Sequence, residues 1–144
     1  SAAECSELLN AEREKYLRLY AEYENFRRRS QKERETLCSQ TRAEVIAKLL
    51  PVYDNLARAL ETPCSDEAFL RGVELTAAQL DDILSSLGVE AITAVGEKFD
   101  PERHNAVSSV ATEDAPPGTV TAEFQKGFAL NGIVIRHAVV QVNP

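Results

Sequence analysis

The first fifty residues contain neither glycine nor proline, and this feature constrains the fold more than any other. Pro51 is the first proline and Gly72 is the first glycine. The stretch before Pro51 is rich in Glu, Arg, Lys, Leu, Ala and Gln, which are good helix formers. One helix over residues 4–60 would be roughly 80 Å long, whereas a compact domain of this chain length is about 30 Å across. The sequence therefore predicts a projecting helix that needs a partner along its length, as in a coiled coil.

Two apolar stripes mark the face on which that partner would pack. The first comprises Leu9, Tyr16, Leu19, Tyr20, Tyr23 and Phe26, and the second comprises Val45, Leu49, Val52, Leu56, Ala59 and Leu60. The second stripe steps by four and three, the spacing of a heptad seam. Residues 27–36, between the stripes, include no apolar side chain. This polar middle is predicted either to splay or to be held by ion pairs such as Glu24–Arg28 and Arg29–Glu33.

Arg27, Arg28 and Arg29, at the start of the polar middle, leave two interpretations open. Consecutive helical residues point about 100° apart, so the three side chains ring the helix and form no single basic patch. They either belong to a solvated helical surface or form a polar face left open for a partner protein.

The charge and composition exclude several classes of function. The 144 residues carry a net charge of −7, which argues against a nucleic-acid partner because phosphate binding needs a basic surface. The apolar run 133–140 is broken by Arg136 and His137 and is too short to span a membrane. No signal peptide is visible. Since the chain has no methionine, we expect it to be a fragment or a processed form.

The sequence predicts no catalytic or metal site. Cys5, Cys38 and Cys64 are odd in number and widely spaced, which indicates neither a disulfide framework nor a zinc site and is typical of a reducing compartment. His104 and His137 have no Cys or His partner at ligand spacing. There is no phosphate-binding glycine loop and no nucleophile paired with a base. We therefore expect no enzyme activity, no cofactor, no metal and no small-molecule substrate.

A helical hairpin is predicted after the long helix. Pro51 should kink the helix near residue 50 because it removes one backbone hydrogen bond, and residues 62–65 should end it. A second helix over residues 66–87 is expected to have Ser65 as its N-cap and Gly88 as its C-cap glycine. Two helices leave apolar surface exposed, so two chains are expected to meet in a four-helix bundle.

The last third changes from helical to strand patterns. Strands are predicted over residues 107–110, 119–130 and 133–142, with a turn over residues 115–118. Asn131-Gly132 is a strong hairpin signal because both central positions of such a turn need positive φ. The chain is thus predicted to be α+β, with a long paired helix over residues 1–50, a hairpin that forms the dimeric bundle over 51–88, and a small β domain over 89–144.

Several motifs, in order along the chain, resemble those of the GrpE family. They are residues 21–29, 49–56, 58–60, 72–76 and 96–101, then His104, Ala106 and Val107, and finally Gly127, Phe128, Asn131, Gly132, Ile135, Arg136, Ala138, Val140 and Val142. The chain departs from the family at Ile133, where arginine is frequent, and at His137, where proline or alanine is common. The departures put the fine detail of partner specificity in question but not the family.

The resemblance implies a co-chaperone. GrpE proteins are homodimers with paired long helices, a dimeric four-helix bundle and a β-wing, here residues 89–144. They bind the nucleotide-binding domain of a DnaK-type heat-shock chaperone, open its cleft and speed ADP release. The implied location is the bacterial cytoplasm, with an organelle matrix as the second choice. A structural coiled-coil adaptor without exchange activity is the alternative.

The resemblance also implies roles for individual residues. Chaperone contacts are expected at Asn25, Arg28, Ala115, Pro116, Pro117, Lys126, Gly127, Phe128 and Arg136. The wing would be oriented by Gly88, Asp100 and His104. The dimer interface would include Tyr16, Tyr23, Val45, Leu49, Val52, Leu56, Leu80 and Leu84.

Some of these residues have a structural interpretation as well. Phe99 and Phe128 could form the core of the wing, and Asp100 with His104 could form a capped turn. Arg136 could pair with a carboxylate of the wing. Because the polar middle of the long helix buries little apolar surface, it should open at a lower temperature than the wing, which would make the long helices a thermosensor.

Overall fold

The computed structural model describes residues Ser1–Pro144 and has two α-helices followed by six short β-strands. The helices are α1 (Ala2–Glu61) and α2 (Glu67–Ser86). The strands are β1 (Val89–Ala91), β2 (His104–Ser109), β3 (Val120–Gln125), β4 (Phe128–Leu130), β5 (Ile133–Arg136) and β6 (Ala138–Val142). The α+β class is confirmed. The chain divides into two compact units, which we call the first unit (Ser1–Arg42) and the second unit (Ala43–Pro144).

The first unit consists almost entirely of the amino-terminal part of α1, and nearly all of its side chains are exposed. Its ion pairs lie along the helix surface. Glu24 pairs with Arg27, at 3.2 Å between Oε2 and Nη2, and not with Arg28 as expected, because the i,i+3 partner is also within reach on a helix. Arg29 and Glu33 pair as expected, at 4.0 Å. Exposed pairs such as these add little stability.

The part of α1 in the second unit has two apolar faces. The first is the predicted heptad face, on which Val45, Leu49 and Val52 remain exposed. The other face carries Ile46 and Leu50, which are buried in the core of the second unit. Helix α1 runs through Pro51 without interruption.

Helix α2 begins one residue later than expected. Its N-cap is Asp66 rather than Ser65, since Asp66 has extended backbone angles and its Oδ1 accepts a hydrogen bond from Phe69 N at 3.1 Å. A side chain must sit at the last non-helical residue to reach that amide. At the other end Gly88 has φ +86°, the left-handed conformation expected of the residue that ends a helix.

The cap assignment predicts different outcomes for two neighbouring substitutions. Asp66→Ala should lower the free energy of unfolding by about 1 kcal/mol because it leaves a first-turn amide without its acceptor. Ser65→Ala is the matched control and should change it by less than about 0.5 kcal/mol. Urea denaturation followed by circular dichroism measures both values, and a larger loss for Ser65→Ala would contradict the assignment.

The strands form two small sheets. The first sheet has the order β1-β4-β5, and all of its pairs are antiparallel. The second sheet has the order β2-β6-β3, in which the central β6 is parallel to β2 and antiparallel to β3. Strand β1 was not expected, and β2 begins at His104 rather than at residue 107.

The Asn131-Gly132 hairpin is present, with φ values of 49° and 85°. Its two arms were expected to be single strands, but each arm is divided between the two sheets. The break falls at Lys126-Gly127 on one arm and at His137 on the other, so β4 and β5 pair in the first sheet whereas β3 and β6 pair in the second. Residues 133–142 therefore do not form one continuous strand, and His137 lies between β5 and β6.

Each sheet has its own apolar core. The first core joins the two helices to the first sheet and comprises Ile46, Leu50, Leu84, Val89, Phe128 and Leu130. The second core comprises Ala94, Val120, Ala138 and Val140, with Phe99 packed against them. Because the first core contains residues of α1, α2 and the strands, burial holds the first sheet against both helices.

Candidate functional site

Arg136, at the end of β5, binds a carboxylate on the long helix. Its Nη1 and Nη2 atoms donate to Asp54 Oδ2 and Oδ1 at 2.7 and 2.8 Å. Its Nε atom donates to the carbonyl oxygen of Lys126 at 3.0 Å. The side chains of Arg136 and Asp54 are only 18% and 17% exposed. A bidentate arginine–carboxylate pair of this kind is among the stronger polar contacts in proteins. The partner was expected to be a carboxylate of the β domain, but it lies on α1.

Aromatic and amide groups surround this ion pair. Tyr53 and Phe128 meet edge to face at 5.0 Å between ring centroids. Gln125 Nε2 donates to Asp54 Oδ2 at 3.2 Å, and the guanidinium of Arg136 lies 5.5 Å from the centre of the Phe128 ring. We call this group the junction cluster: Tyr53, Asp54, Gln125, Lys126, Phe128 and Arg136. It ties the hairpin to α1 and so fixes the orientation of the strands on the helix.

Lys126 is an exposed member of the junction cluster, and its positive charge is not paired with a carboxylate. Its Nζ donates to the hydroxyl of Tyr53 at 3.3 Å and lies 5.8 Å from the centre of that ring. This hydrogen bond raises the pKa of the Lys126 ammonium above its ordinary value. Lys126 is thus positioned to present a cation to a partner at neutral pH.

The two residues after Lys126 are covered by the chain itself. Phe128 is 3% exposed and lies in the first core. Gly127 is also buried, and a Cβ atom there would come within 2.9 Å of Ala138 Cα and of the Arg136 carbonyl oxygen. Gly127, Phe128 and Arg136 therefore support the surface beside them, and their contact with a chaperone stays a prediction.

The turn with two prolines is at the surface. Pro116 and Pro117 are exposed, Ala115 is half-buried, and Gly118 ends the turn with φ +83°. Asn25 and Arg28 are exposed on the first unit. Of the side chains expected to contact a chaperone, these and Lys126 are accessible to one.

Asp100 and His104 form a capped turn. The backbone amide of Asp100 donates to His104 Nδ1 at 3.1 Å, and Asp100 Oδ1 accepts from the Glu102 amide at 3.0 Å. His104 is buried, and its Nε2 lies 3.3 Å from the Thr93 carbonyl oxygen. Since Nδ1 accepts, Nε2 carries the proton and donates to Thr93. The imidazole thus joins two loops of the β domain.

Gly88 connects α2 to the tip of the hairpin. Its carbonyl oxygen accepts from the Asn131 amide at 3.0 Å. A Cβ atom on Gly88 would collide with the Asn131 side-chain oxygen, and the positive φ disfavours any other residue. The hairpin tip is therefore held against the end of α2.

The residues expected at a dimer interface divide into two groups. Tyr16, Tyr23, Val45, Leu49 and Val52 are exposed in the single chain, and Leu56 and Leu80 are half-buried. Leu84, in contrast, is 4% exposed because it packs in the first core of its own chain. Leu84 is therefore a core residue of the single chain, and its place in a dimer interface stays a prediction.

Three residues of importance were missed in the sequence. Tyr53 and Asp54 of the junction cluster lie within the motif 49–56, and Asn143 is a buried polar residue at the end of the second sheet. One signal in the sequence pointed to the ion pair: Arg136 is a charged residue in a predicted strand whose other residues are mostly apolar, so it needs a partner of opposite charge. No group of His, Cys, Asp and Glu is arranged to hold a metal ion, and neither helix is apolar enough over a sufficient length to cross a membrane.

Comparison with known proteins gives a consistent family match. The GrpE family model matches residues 2–144. The protein named Protein GrpE from Parageobacillus thermoglucosidasius is 45% identical over 132 residues, covering 90% of this chain and 59% of that relative. The Geobacillus stearothermophilus protein of that name is 44% identical over 132 residues, covering 90% and 60%. The one from Geobacillus kaustophilus is 42% identical over 144 residues, covering 98% and 68%. The chain thus spans about 60% of the length of the first two relatives.

Proposed function

The chain belongs to the GrpE family, and on that premise we propose that it is a nucleotide-exchange factor for a DnaK-type heat-shock chaperone. The observation that carries the proposal is the match of the family model to residues 2–144. The matched relatives are bacterial, which supports the bacterial cytoplasm as its location. In this role the protein makes and breaks no covalent bond.

The proposed mechanism is differential binding. The protein binds the chaperone's open, nucleotide-free cleft better than its closed cleft. By linkage it weakens the affinity of the chaperone for nucleotide by the same factor, so ADP is released and ATP can enter. The accessible turn of Ala115, Pro116 and Pro117, together with Lys126, would form the contact on the β domain. Asn25 and Arg28 would form a second contact on the long helix.

We also propose that the working form is a homodimer. Large apolar side chains are exposed along both helices of the single chain, including Leu19, Phe26, Leu49, Phe69 and Leu75. Large apolar side chains exposed along a helix are typical of a surface that packs against another protein chain. A paired α1 and a four-helix bundle with α2 would cover these side chains.

Stopped-flow release of a fluorescent ADP from a bacterial DnaK tests the function. The wild-type protein should accelerate release in amounts well below those of the chaperone. Pro117→Ala and Arg28→Ala should each raise the concentration needed for half-maximal acceleration about tenfold, the effect of losing one significant contact. Pro63→Ala, in the exposed loop between the helices, and Arg58→Ala are the matched controls and should behave as wild type.

Two results would contradict the proposal. One is unchanged ADP release from two different DnaK proteins when sedimentation shows an intact dimer, which would favour the structural adaptor. The other is an equal loss for the control variants, which would mean that the two contacts are wrongly placed.

A further inference from the structure

Asn143 is one of two buried polar residues of the chain and is only 4% exposed. Its side chain makes hydrogen bonds to a single loop. Oδ1 accepts from the Thr112 amide at 3.0 Å, and Nδ2 donates to the Thr112 carbonyl oxygen at 3.0 Å and to the Ala115 carbonyl oxygen at 2.7 Å. The Pro116 carbonyl oxygen is also within 3.4 Å of Nδ2.

The backbone of Asn143 holds the far end of the same loop. Its carbonyl oxygen accepts from the Gly118 amide at 2.8 Å, and its amide donates to the Thr119 carbonyl oxygen at 2.9 Å. We call residues 112–119 the proline loop. Five different residues of the proline loop thus form hydrogen bonds with Asn143. Every buried side-chain nitrogen and oxygen of the chain, those of Asn143 included, has a hydrogen-bond partner.

The composition of the proline loop explains why it needs this support. Pro116 and Pro117 have no amide hydrogen, so they cannot donate to close the loop on itself. The hydrogen bonds within the loop are few: Asp114 N donates to Thr112 Oγ1 at 3.2 Å, Thr112 Oγ1 donates to Asp114 Oδ2 at 3.4 Å, and Thr119 N donates to the Pro116 carbonyl oxygen at 3.3 Å. The carbonyl oxygens of Thr112 and Ala115 would otherwise depend on water.

Only asparagine offers both an acceptor and two donors at this reach. Aspartate has no donor for the Thr112 and Ala115 carbonyl oxygens, and alanine has neither donor nor acceptor. Buried side-chain amides with all their partners fix one backbone conformation, because leaving any partner unpaired is costly.

We propose that Asn143 is the positioning residue for partner binding: it holds the proline loop in the conformation that presents Ala115, Pro116 and Pro117 to the chaperone. This inference rests on the proposed function. A loop that is ordered before binding loses less conformational entropy on binding. Asn143 therefore acts on the affinity of the complex and not on the opening of the cleft once the complex has formed.

Asn143→Asp and Asn143→Ala test the proposal with two measurements. In the free protein, amide hydrogen exchange of residues 112–119 should accelerate about tenfold or more, while the amides of β3 and β6 outside the loop contacts stay protected. In the exchange assay the concentration for half-maximal ADP release should rise about tenfold, with an unchanged maximal rate. Asn105→Asp, an exposed asparagine of the same sheet, is the matched control and should change neither.

The results of these experiments distinguish a failure of the proposed role of Asn143 from a failure of the proposed exchange function. Retained protection of the proline loop in Asn143→Asp would overturn the role of Asn143. A lower maximal rate with an unchanged half-maximal concentration would overturn it as well, because the residue would then act on cleft opening. If the wild type does not accelerate ADP release at all, the proposed function fails, and with it the link between Asn143 and the chaperone. Lost protection would then show that Asn143 orders the loop for fold stability alone.

Discussion

Gly127→Ala should lower the free energy of unfolding of the second unit by about 3 kcal/mol, the upper end for overpacking a tight site. The added methyl group would meet the backbone of the opposite hairpin arm, at 2.9 Å from Ala138 Cα and from the Arg136 carbonyl oxygen, and still closer to Ala138 N. Backbone atoms cannot rotate away as a side chain would. The strain would fall where each arm passes from one sheet to the other.

Urea denaturation monitored by circular dichroism measures this loss, and Gly72→Ala is the matched control. Gly72 lies within α2, and a Cβ atom there would have nothing within 4 Å. Alanine is the better helix former, so Gly72→Ala should raise the free energy of unfolding by about 0.5–1 kcal/mol. The same chemical change is thus expected to have opposite signs at the two sites. A change below about 0.5 kcal/mol for Gly127→Ala would mean that the arms can separate to admit a methyl group.

Arg136→Ala should lower the free energy of unfolding by about 2 kcal/mol. Removing one partner of a fully buried ion pair costs 3–5 kcal/mol, and the smaller figure allows for the partial exposure of both side chains. The substitution leaves Asp54 with Gln125 as its remaining side-chain partner and removes the cation above Phe128. Since Arg136 joins β5 to α1, the loss should appear as weaker attachment of the first sheet to the helix.

A double-mutant cycle with Asp54→Ala isolates the pair from the packing of the arginine side chain. We expect a coupling free energy of at least about 1 kcal/mol between the two positions. Arg58→Ala, one turn along the same helix and exposed, is the control and should cost less than about 0.5 kcal/mol. Additive losses for Asp54→Ala and Arg136→Ala would show that the ion pair adds no stability of its own.

The elements that depend on local patterns were predictable from the sequence. The absence of glycine and proline indicated α1, the break at residues 62–65 ended it, and Gly88 marked the end of α2. Asn131-Gly132 indicated the hairpin because its dihedral angles are a property of those two residues. Each of these signals lies within a few residues of the feature that it predicts.

The features that were missed depend on contacts between distant residues. A heptad pattern was found at Val45, Leu49 and Val52, but Ile46 and Leu50 lie only one position further round the helix. Nothing local distinguishes the face that packs in the chain's own core from the face that stays open. The division of the hairpin arms at Gly127 and His137 likewise follows from two separate cores, each of which takes one half of each arm.

In the candidate site, too, the features set by local sequence were predictable and those set by contacts between distant residues were not. The prolines of the turn and the surface position of Lys126 follow from local composition, whereas the support beneath them does not. Asp54 and Arg136 are far apart in the sequence, and Asn143 reaches back to Thr112 across most of the β domain. A residue that acts by holding another residue in place has no motif of its own, so only the structure identifies it.

The strand order of the second sheet has a consequence for the synthesis of the protein. β6 lies between β2 and β3, which do not pair with each other, yet it follows both along the chain. During synthesis β2 and β3 are therefore made before β6, the strand with which both of them pair in the sheet. Unpaired strand edges are prone to wrong association. The second sheet can therefore form in full only after residues 138–142 have been made.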